Sequence, residues 1–316
     1  MDKRQLGRSS LQVAPFAFGG NVFGWTVDET TAFQLLDAFS AAGYNLIDTA
    51  DSYSRWAPGN KGGESETIIG NWMKQRRNRD KILVATKVGS DMGQGKRDIS
   101  KKYILRAAED SLRRLQTDYI DLYQTHWDVE SVPVEETLDA YAQLVKEGKA
   151  RWIGASNISA IRLNNSLEAS DRNGYPRYQA LQPQYNLYDR EKFEKDFEQI
   201  CLEENIGVIT YYSLASGFLT GKYRSEADLR KTARGSGVKR YLDERGFRIL
   251  AALDKVTKQY DTTPATIAIA WLQSMPSVTA PIASATSVAQ LESLMKAAEI
   301  KLGDEAMSVL NEASKW

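Results

Sequence analysis

The chain has 316 residues, 42% hydrophobic and 26% charged, enough apolar material for a large globular core. Its 41 basic residues balance 41 acidic ones, so no net field favours nucleic acid or an anionic membrane surface. A single histidine, His126, and a single cysteine, Cys201, exclude multi-histidine metal chemistry, an internal disulfide and cysteine-rich metal sites.

The opening "MDKRQLGRSS" carries no apolar signal segment, and no apolar run approaches the ~18 residues of a membrane span. A cytoplasmic location without a membrane partner is the expectation. "KRQLGRSSLQVAP" reads as two short strands joined at "GRSS". β-rich runs then alternate with amphipathic helices. "APFAFGG" (14–20) precedes a helix capped by Asp28 and running to Ala42. "NLIDT" (45–49) precedes 64–77, "ILVATK" (82–87) precedes 100–115, and "IDLYQTH" (120–126) precedes 134–147. "RWIGAS" (151–156) precedes 159–172, and "ALQPQ" (180–184) precedes 189–204. "GVITYY" (207–212) leads into a long loop, about 213–245, and then helices near 246–260 and 264–275. "VTAPIA" (278–283) precedes 286–298, and a last helix spans about 304–315.

Eight strand–helix units in a chain of this length predict an α/β fold, a (β/α)8 TIM barrel, formed by residues 1–316 as one domain. The N-terminal hairpin is expected to cap the barrel floor. A doubly wound sheet is the runner-up, but no G-x-G-x-x-G follows an early strand. "SDMGQGKRD" (90–98) is no phosphate loop, because Ser90 stands where glycine is needed and Arg97 where a hydroxyl is needed. The loop at 213–245 is long for a compact domain and rich in cations between Lys222 and Arg240, which fits an anion clamp over the barrel mouth.

Barrel chemistry sits at the carboxyl ends of the strands. In order, those ends carry Asp48, Lys87, His126, Ser156 with Asn157, Gln184, and Tyr211 with Tyr212. A buried lysine needs a counter-ion, which Asp48 on the adjacent strand can supply. A cation beside the phenol of Tyr53 is expected to lower its pKa from about 10 and make it a general acid. A neutral His126 can donate to a substrate oxygen. This set protonates an oxygen as charge develops on it, which is half of carbonyl reduction. The other half is a hydride, which no side chain provides, so a nicotinamide cofactor is implied. Ser156, Asn157 and Gln184 offer hydrogen bonds to a carboxamide, and Tyr211 offers a stacking face. The loop after strand seven and the helix start in "SATSVAQLE" (284–292), with Ser284, Thr286 and Gln290, can hold phosphates. Asp51 reads as a loop or capping carboxylate, and Cys201 as a core thiol.

"GYNLIDTADSYS", "VATKVG", "DLYQTHWD", "KARWIGASNIS", "LQPQYNLYDR" and "LTGKY" resemble the successive signatures of the aldo-keto reductase superfamily, along nearly the whole chain. The resemblance implies a (β/α)8 barrel and a catalytic tetrad of Asp48, Tyr53, Lys87 and His126, with Tyr53 as proton donor. It implies carboxamide contacts at Ser156, Asn157 and Gln184, stacking on Tyr211, and a pyrophosphate loop of Leu214, Ser216, Gly217, Lys222 and Arg234. The sequence departs from the family at "YYSL", where Tyr212 and Ser213 replace Ser and Pro. It departs again where Ser284, Gln290 and Leu294 occupy the positions of Gly/Lys, Arg/Gln and an adenine-contacting Asn. NADPH is the expected cofactor, with NADH the competing choice, and no metal is expected.

The expected partner is a small-molecule aldehyde or ketone. Trp25, Trp56 and Trp127, with Phe23, suggest a pocket for apolar or ring-bearing carbonyls, whereas Arg55 and Lys61 would favour a sugar or an acid. Potassium-channel β subunits, which keep the fold and tetrad, supply the rival reading of a cofactor-binding sensor. A metal-dependent hydrolase using Asp48, Asp51 and His126 is disfavoured by the single histidine.

Overall fold

The computed structural model describes residues 1–231 and 235–316. The N-terminal hairpin is present: β1 (Arg4–Gln5) pairs antiparallel with β2 (Gln12–Val13). The barrel strands are β3 (Ala17–Gly19), β4 (Leu46–Asp48), β5 (Leu83–Val88), β6 (Ile120–Thr125), β7 (Ala150–Ser156), β8 (Tyr178–Gln182), β9 (Gly207–Val208) and β10 (Ile282–Ala283). All are parallel, in the order β10-β3-β4-β5-β6-β7-β8-β9. The Thr279 amide donates to Val208 O (2.8 Å) and the Ile282 amide to Thr210 O (2.9 Å), which joins the two ends of the sheet. The fold is a (β/α)8 barrel.

The outer helices are α1 (Glu29–Ala41), α2 (Glu64–Arg76), α3 (Lys101–Leu115), α4 (Val134–Lys146), α5 (Ala160–Asn173), α6 (Glu191–Asp196), α7 (Glu198–Glu203), α8 (Glu244–Tyr260), α9 (Pro264–Gln273), α10 (Val288–Met295) and α11 (Asp304–Ala313). Asp28 caps α1 by accepting from the Thr31 amide, as its position predicts. The helix expected over 189–204 is broken instead at Phe197, whose backbone (φ −128°, ψ −30°) separates α6 from α7. The Phe197 side chain packs into the core, so tertiary burial overrides the continuous helix. Among its described residues, the long loop holds the short 3-10 segments Ala215–Thr220, Glu226–Lys231 and Gly235–Tyr241.

Two apolar clusters hold the molecule. The larger lies between the helices and the outer face of the strands, around Trp72, Tyr141 and Trp271. The smaller fills the barrel interior. There Leu6, Leu11 and Val13 of the hairpin region meet Ala17, Leu46, Ala85, Leu122, Ala180 and Ile209. The hairpin thus closes the floor and is tied down at both sides. Arg4 donates to Gln273 O (3.0 Å) and Val278 O (3.1 Å), and Asn45 Nδ2 donates to Gln12 O (2.8 Å). With the floor apolar and sealed, the polar strand ends collect at the other end. Among the described residues no helix is long and apolar enough to cross a membrane.

Candidate active site

Asp48 is the last residue of β4 and Lys87 lies near the end of β5, on the neighbouring strand. Both are buried. Lys87 Nζ donates to Asp48 Oδ2 (2.8 Å), to Thr49 O (2.8 Å) and to Tyr53 Oη (2.8 Å), so all three ammonium protons are used. Tyr53 Oη donates to the same Asp48 oxygen at 3.1 Å. Gln182 Nε2 crosses from β8 and donates to Asp48 Oδ1 at 2.8 Å. A buried cation, a buried anion and a phenol therefore form a closed triangle.

The loop after β4 carries the phenol into place. Ser54 takes a left-handed backbone (φ +69°), unusual for a residue with a side chain. Its hydroxyl donates to Phe23 O (2.6 Å), and Asn60 Nδ2 donates to Ser54 O (2.9 Å). These bonds fix the turn that sets Tyr53 beside Lys87. His126 follows β6 directly, its amide donating to Val88 O (2.8 Å). Its ring stands edge-on to Tyr53 at 6.0 Å and stacks on Trp127 at 5.8 Å, and its Nδ1 is 3.0 Å from Ser90 Oγ. Desolvation, then the cations Lys87 and Arg97, push its pKa well below 6.5. The imidazole is neutral at ordinary pH.

Tyr53 departs from expectation in one respect. Burial, then the charge of Asp48 and its hydrogen bond, then Tyr212 and Tyr211, raise the phenol well above 10 rather than lowering it. Burial pulls the Lys87 ammonium down from its usual value while Asp48 opposes that pull. Asp48 sits on the acceptor side of the phenol and offsets the cation, so the resting site holds Tyr53 protonated.

Asp51 differs from expectation as well. It is buried, not a solvated cap, and both of its oxygens lack a hydrogen-bond partner among the described residues. Burial, then the charge of Glu66, raise its pKa to about 8, against the pull of Arg114, the Ser52 N–H dipole and Lys87. Glu66 itself is satisfied by Arg114 Nε (2.6 Å) and Thr86 Oγ1 (2.5 Å). At neutral pH Asp51 is a neutral acid behind the tetrad.

Beside the tetrad, Ser156 Oγ donates to Gln182 O (2.8 Å), and Asn157 Nδ2 donates to His126 O (2.8 Å). Tyr211 Oη donates to Asn157 Oδ1 at 3.0 Å. Gln184 does not join this group. Strand β8 ends at Gln182, two residues earlier than expected, and Gln184 Nε2 donates instead to Asp189 Oδ2 (2.8 Å). Asp189 also takes Asn186 (2.9 Å), Tyr241 (2.9 Å) and Arg240 (3.5 Å). Gln182 is the residue that sequence reasoning missed. The signal was available, since a strand starting at Tyr178 places Gln182, not Gln184, opposite Ser156 in β7.

The loop after β9 makes a tight left-handed turn at Ala215, Ser216 and Gly217 (φ +48°, +58° and +97°), just after Leu214. A Cβ on Gly217 would lie at an ordinary contact distance, 3.8 Å, from Lys222 Nζ, so glycine is required here by its φ, in a turn beside an ammonium. The turn Gly235–Tyr241 lies over it, with Ser216 Oγ 3.9 Å from where a Cβ on Gly237 would sit. Arg234 lies outside the described residues. At the start of α10, Ser287 accepts from the Gln290 amide (3.3 Å), and Gln290 Oε1 accepts from the Thr286 amide and hydroxyl (3.1 Å each). The arrangement resembles a capping box, except that Gln290 reaches Thr286, the residue before the N-cap Ser287, and so turns back onto the start of its own helix. Ser284 donates to Gly19 O (2.7 Å), and Leu294 is buried in the core.

Of the rim aromatics, Trp25 and Trp56 meet edge-on at 5.8 Å, and Trp56 meets Tyr53 at 6.1 Å. Trp56 and Tyr212 are half exposed. Arg97 stacks on Trp127 at 3.9 Å. Phe23 is not on the rim. It is fully buried and stacked on Phe18 at 5.3 Å. Arg55 reaches Asp91 O (2.8 Å), and Lys61 is exposed. Cys201 is buried, its thiol pushed up to about 12 mainly by burial, as a core thiol should be.

Comparison with known proteins agrees with this geometry. The model of the Aldo/keto reductase family matches residues 15–315. The chain belongs to the aldo/keto reductase family. It is 31% identical to Protein tas of Escherichia coli, over 98% of this chain and 96% of that protein. It is 33% identical to the uncharacterized oxidoreductase YrpG of Bacillus subtilis, over 99% and 95%. It is also 32% identical to a probable voltage-gated potassium channel subunit beta of Arabidopsis thaliana, over 95% and 92%. The family therefore includes relatives named for oxidoreductase activity and relatives named as channel subunits.

Proposed function

We propose that this protein is an oxidoreductase that reduces aldehydes or ketones to alcohols with NADPH, Tyr53 being the proton donor. The observation that carries this reading is the Asp48–Tyr53–Lys87 triangle with a neutral His126 at its edge. The residues present fit a nicotinamide dinucleotide. Ser156, Asn157 and Gln182 cluster beside the triangle for a carboxamide, with Tyr211 or Tyr212 as the stacking face. The left-handed turn at Gly217 beside the Lys222 ammonium suits the pyrophosphate, and the start of α10 suits the far phosphate. The bound cofactor supplies the hydride for the carbonyl carbon.

The protein's own groups handle the proton. His126 orients the carbonyl oxygen by a hydrogen bond from a neutral ring. As negative charge grows on that oxygen, Tyr53 Oη releases its proton to it. The phenolate so formed faces the Lys87 ammonium at 2.8 Å, so the cation stabilises the state after proton transfer even though the resting phenol is raised. Asp48 keeps Lys87 charged in a buried place. The Trp25–Trp56 and Trp127 walls favour ring-bearing carbonyls.

The relative named as a channel subunit favours a second reading, a cofactor-binding sensor with little turnover. A panel of aromatic and aliphatic carbonyls, run with NADPH and NADH in parallel, separates the two. Steady, carbonyl-dependent NADPH oxidation is expected. Tight cofactor binding with no turnover on any carbonyl would favour the sensor.

A further inference from the structure

Ser90 stands just past β5, in a stretch that the tetrad chemistry leaves unused. Gly89 adopts φ +113°, and a Cβ there would come within 2.7 Å of Ile99 Cγ2, so the turn that delivers Ser90 requires glycine. The Ser90 carbonyl accepts from Gln94 Nε2 (3.1 Å), and its hydroxyl lies 3.0 Å from His126 Nδ1. Ser90 is buried. Among the described residues, Nδ1 is the one acceptor within hydrogen-bond reach of that hydroxyl. If Nδ1 carried the proton and donated to Ser90, the serine's own proton would be left buried without an acceptor, which is the costlier arrangement. Burial, then the neighbouring Lys87 ammonium, disfavours a doubly protonated ring.

We propose that Ser90 is a positioning residue: its hydroxyl donates to Nδ1 of His126 and so fixes the ring as the Nε2–H tautomer, the form with an N–H to offer a carbonyl oxygen. That this N–H serves catalysis rests on the carbonyl-reductase reading. The tautomer itself does not. His126 is the only histidine of the chain, so untagged protein labelled with 15N-histidine gives one pair of ring nitrogens. In a long-range proton–nitrogen correlation, Nε2 couples strongly to both carbon-bound ring protons and Nδ1 to only one. The expected wild-type spectrum shows a protonated Nε2 and an unprotonated Nδ1. Ser90→Ala is expected to move both nitrogens toward an averaged mixture of tautomers and to lower kcat about tenfold. Cofactor affinity should hold, and Ser90→Thr should restore both tautomer and kcat. A protonated Nδ1 in the wild-type protein, which needs no variant to detect, would overturn the proposal. So would a Ser90→Ala spectrum identical to wild type, or an unchanged kcat in a variant whose tautomer has shifted. Absence of turnover in every protein would contradict the carbonyl-reductase reading and leave the spectra to decide the tautomer.

Discussion

The two halves of the barrel mouth are built differently. On the β4–β6 side, Asp48, Tyr53 and Lys87 satisfy one another within the protein, through bonds of 2.8–3.1 Å. On the β9–β10 side, the groups we assign to a dinucleotide are engaged with their own backbone or with one another. Gln290 caps its helix, Ser284 holds Gly19 O, and Arg240 leans on Asp189. The first half needs no ligand to have its geometry, because its partners are buried charges that cannot be left single. If it takes the proposed dinucleotide, the second half exchanges local bonds for ligand bonds, and its selectivity then depends on which exchange is cheaper. On the proposed reading, packing sets the reaction chemistry and a competition at the surface sets cofactor preference.

Substitutions on the two sides of the mouth test that contrast. The largest effect is expected on the packed side. Lys87→Met leaves the Asp48 carboxylate buried without its cation and should cost about 3 kcal/mol in stability and about a thousandfold in turnover. The double variant Lys87→Met with Asp48→Asn should recover much of the stability and none of the turnover, as chemical denaturation and steady-state rates will report. A single variant as stable as wild type would show that the triangle is not the rigid element supposed here.

Next comes Asp51. Its folded-state pKa of about 8 is raised above the ordinary value, so its neutral form favours the native state. That contribution is full at acid pH and is lost as pH rises from about 4 through about 8. Asp51→Asn should therefore gain about 4 kcal/mol more over wild type at pH 8 than at pH 5, about 1.4 kcal/mol for each of the three pH units. Equal differences at the two pH values would show that Asp51 is already ionised in the native state.

A smaller effect separates two glutamines. Gln182→Leu should weaken cofactor binding about tenfold, because its amide lies among Asp48, Ser156 and the mouth. Gln184→Leu, tied to Asp189 away from the tetrad, should change it less than about twofold. The reverse order by fluorescence titration would return the carboxamide contact to Gln184. Smallest is Gln290→Arg, expected to lower the KM for NADPH about fivefold while costing about 0.5 kcal/mol of helix capping. Unchanged NADPH affinity would remove α10 from the phosphate site.

The same contrast explains what could be read in the sequence. Asp48, Lys87 and His126 were legible because each follows an apolar strand run, and strand ends of a barrel converge. Tyr53 was legible five residues on. Its raised pKa was not, because it depends on how deeply the phenol is buried and then on Asp48 Oδ2 accepting from it at 3.1 Å, neither of which the spacing shows. The burial of Asp51 was hidden for a related reason: loop position in sequence gave no sign that Glu66 and Arg114 enclose it. Gln182 was missed through a two-residue error in a strand end, the least reliable part of any such reading. The dual use of Gln290 follows from the Ser287-x-x-Gln290 spacing, a capping signature present in the sequence but read there only as a clamp.

The central claim is that Tyr53 gives the proton in carbonyl reduction. It is tested most directly by Tyr53→Phe, assayed for NADPH oxidation with an aromatic aldehyde and, in parallel, for quenching of cofactor fluorescence. The account predicts turnover lowered at least about a thousandfold with cofactor binding intact. Near-normal turnover in that variant would contradict it.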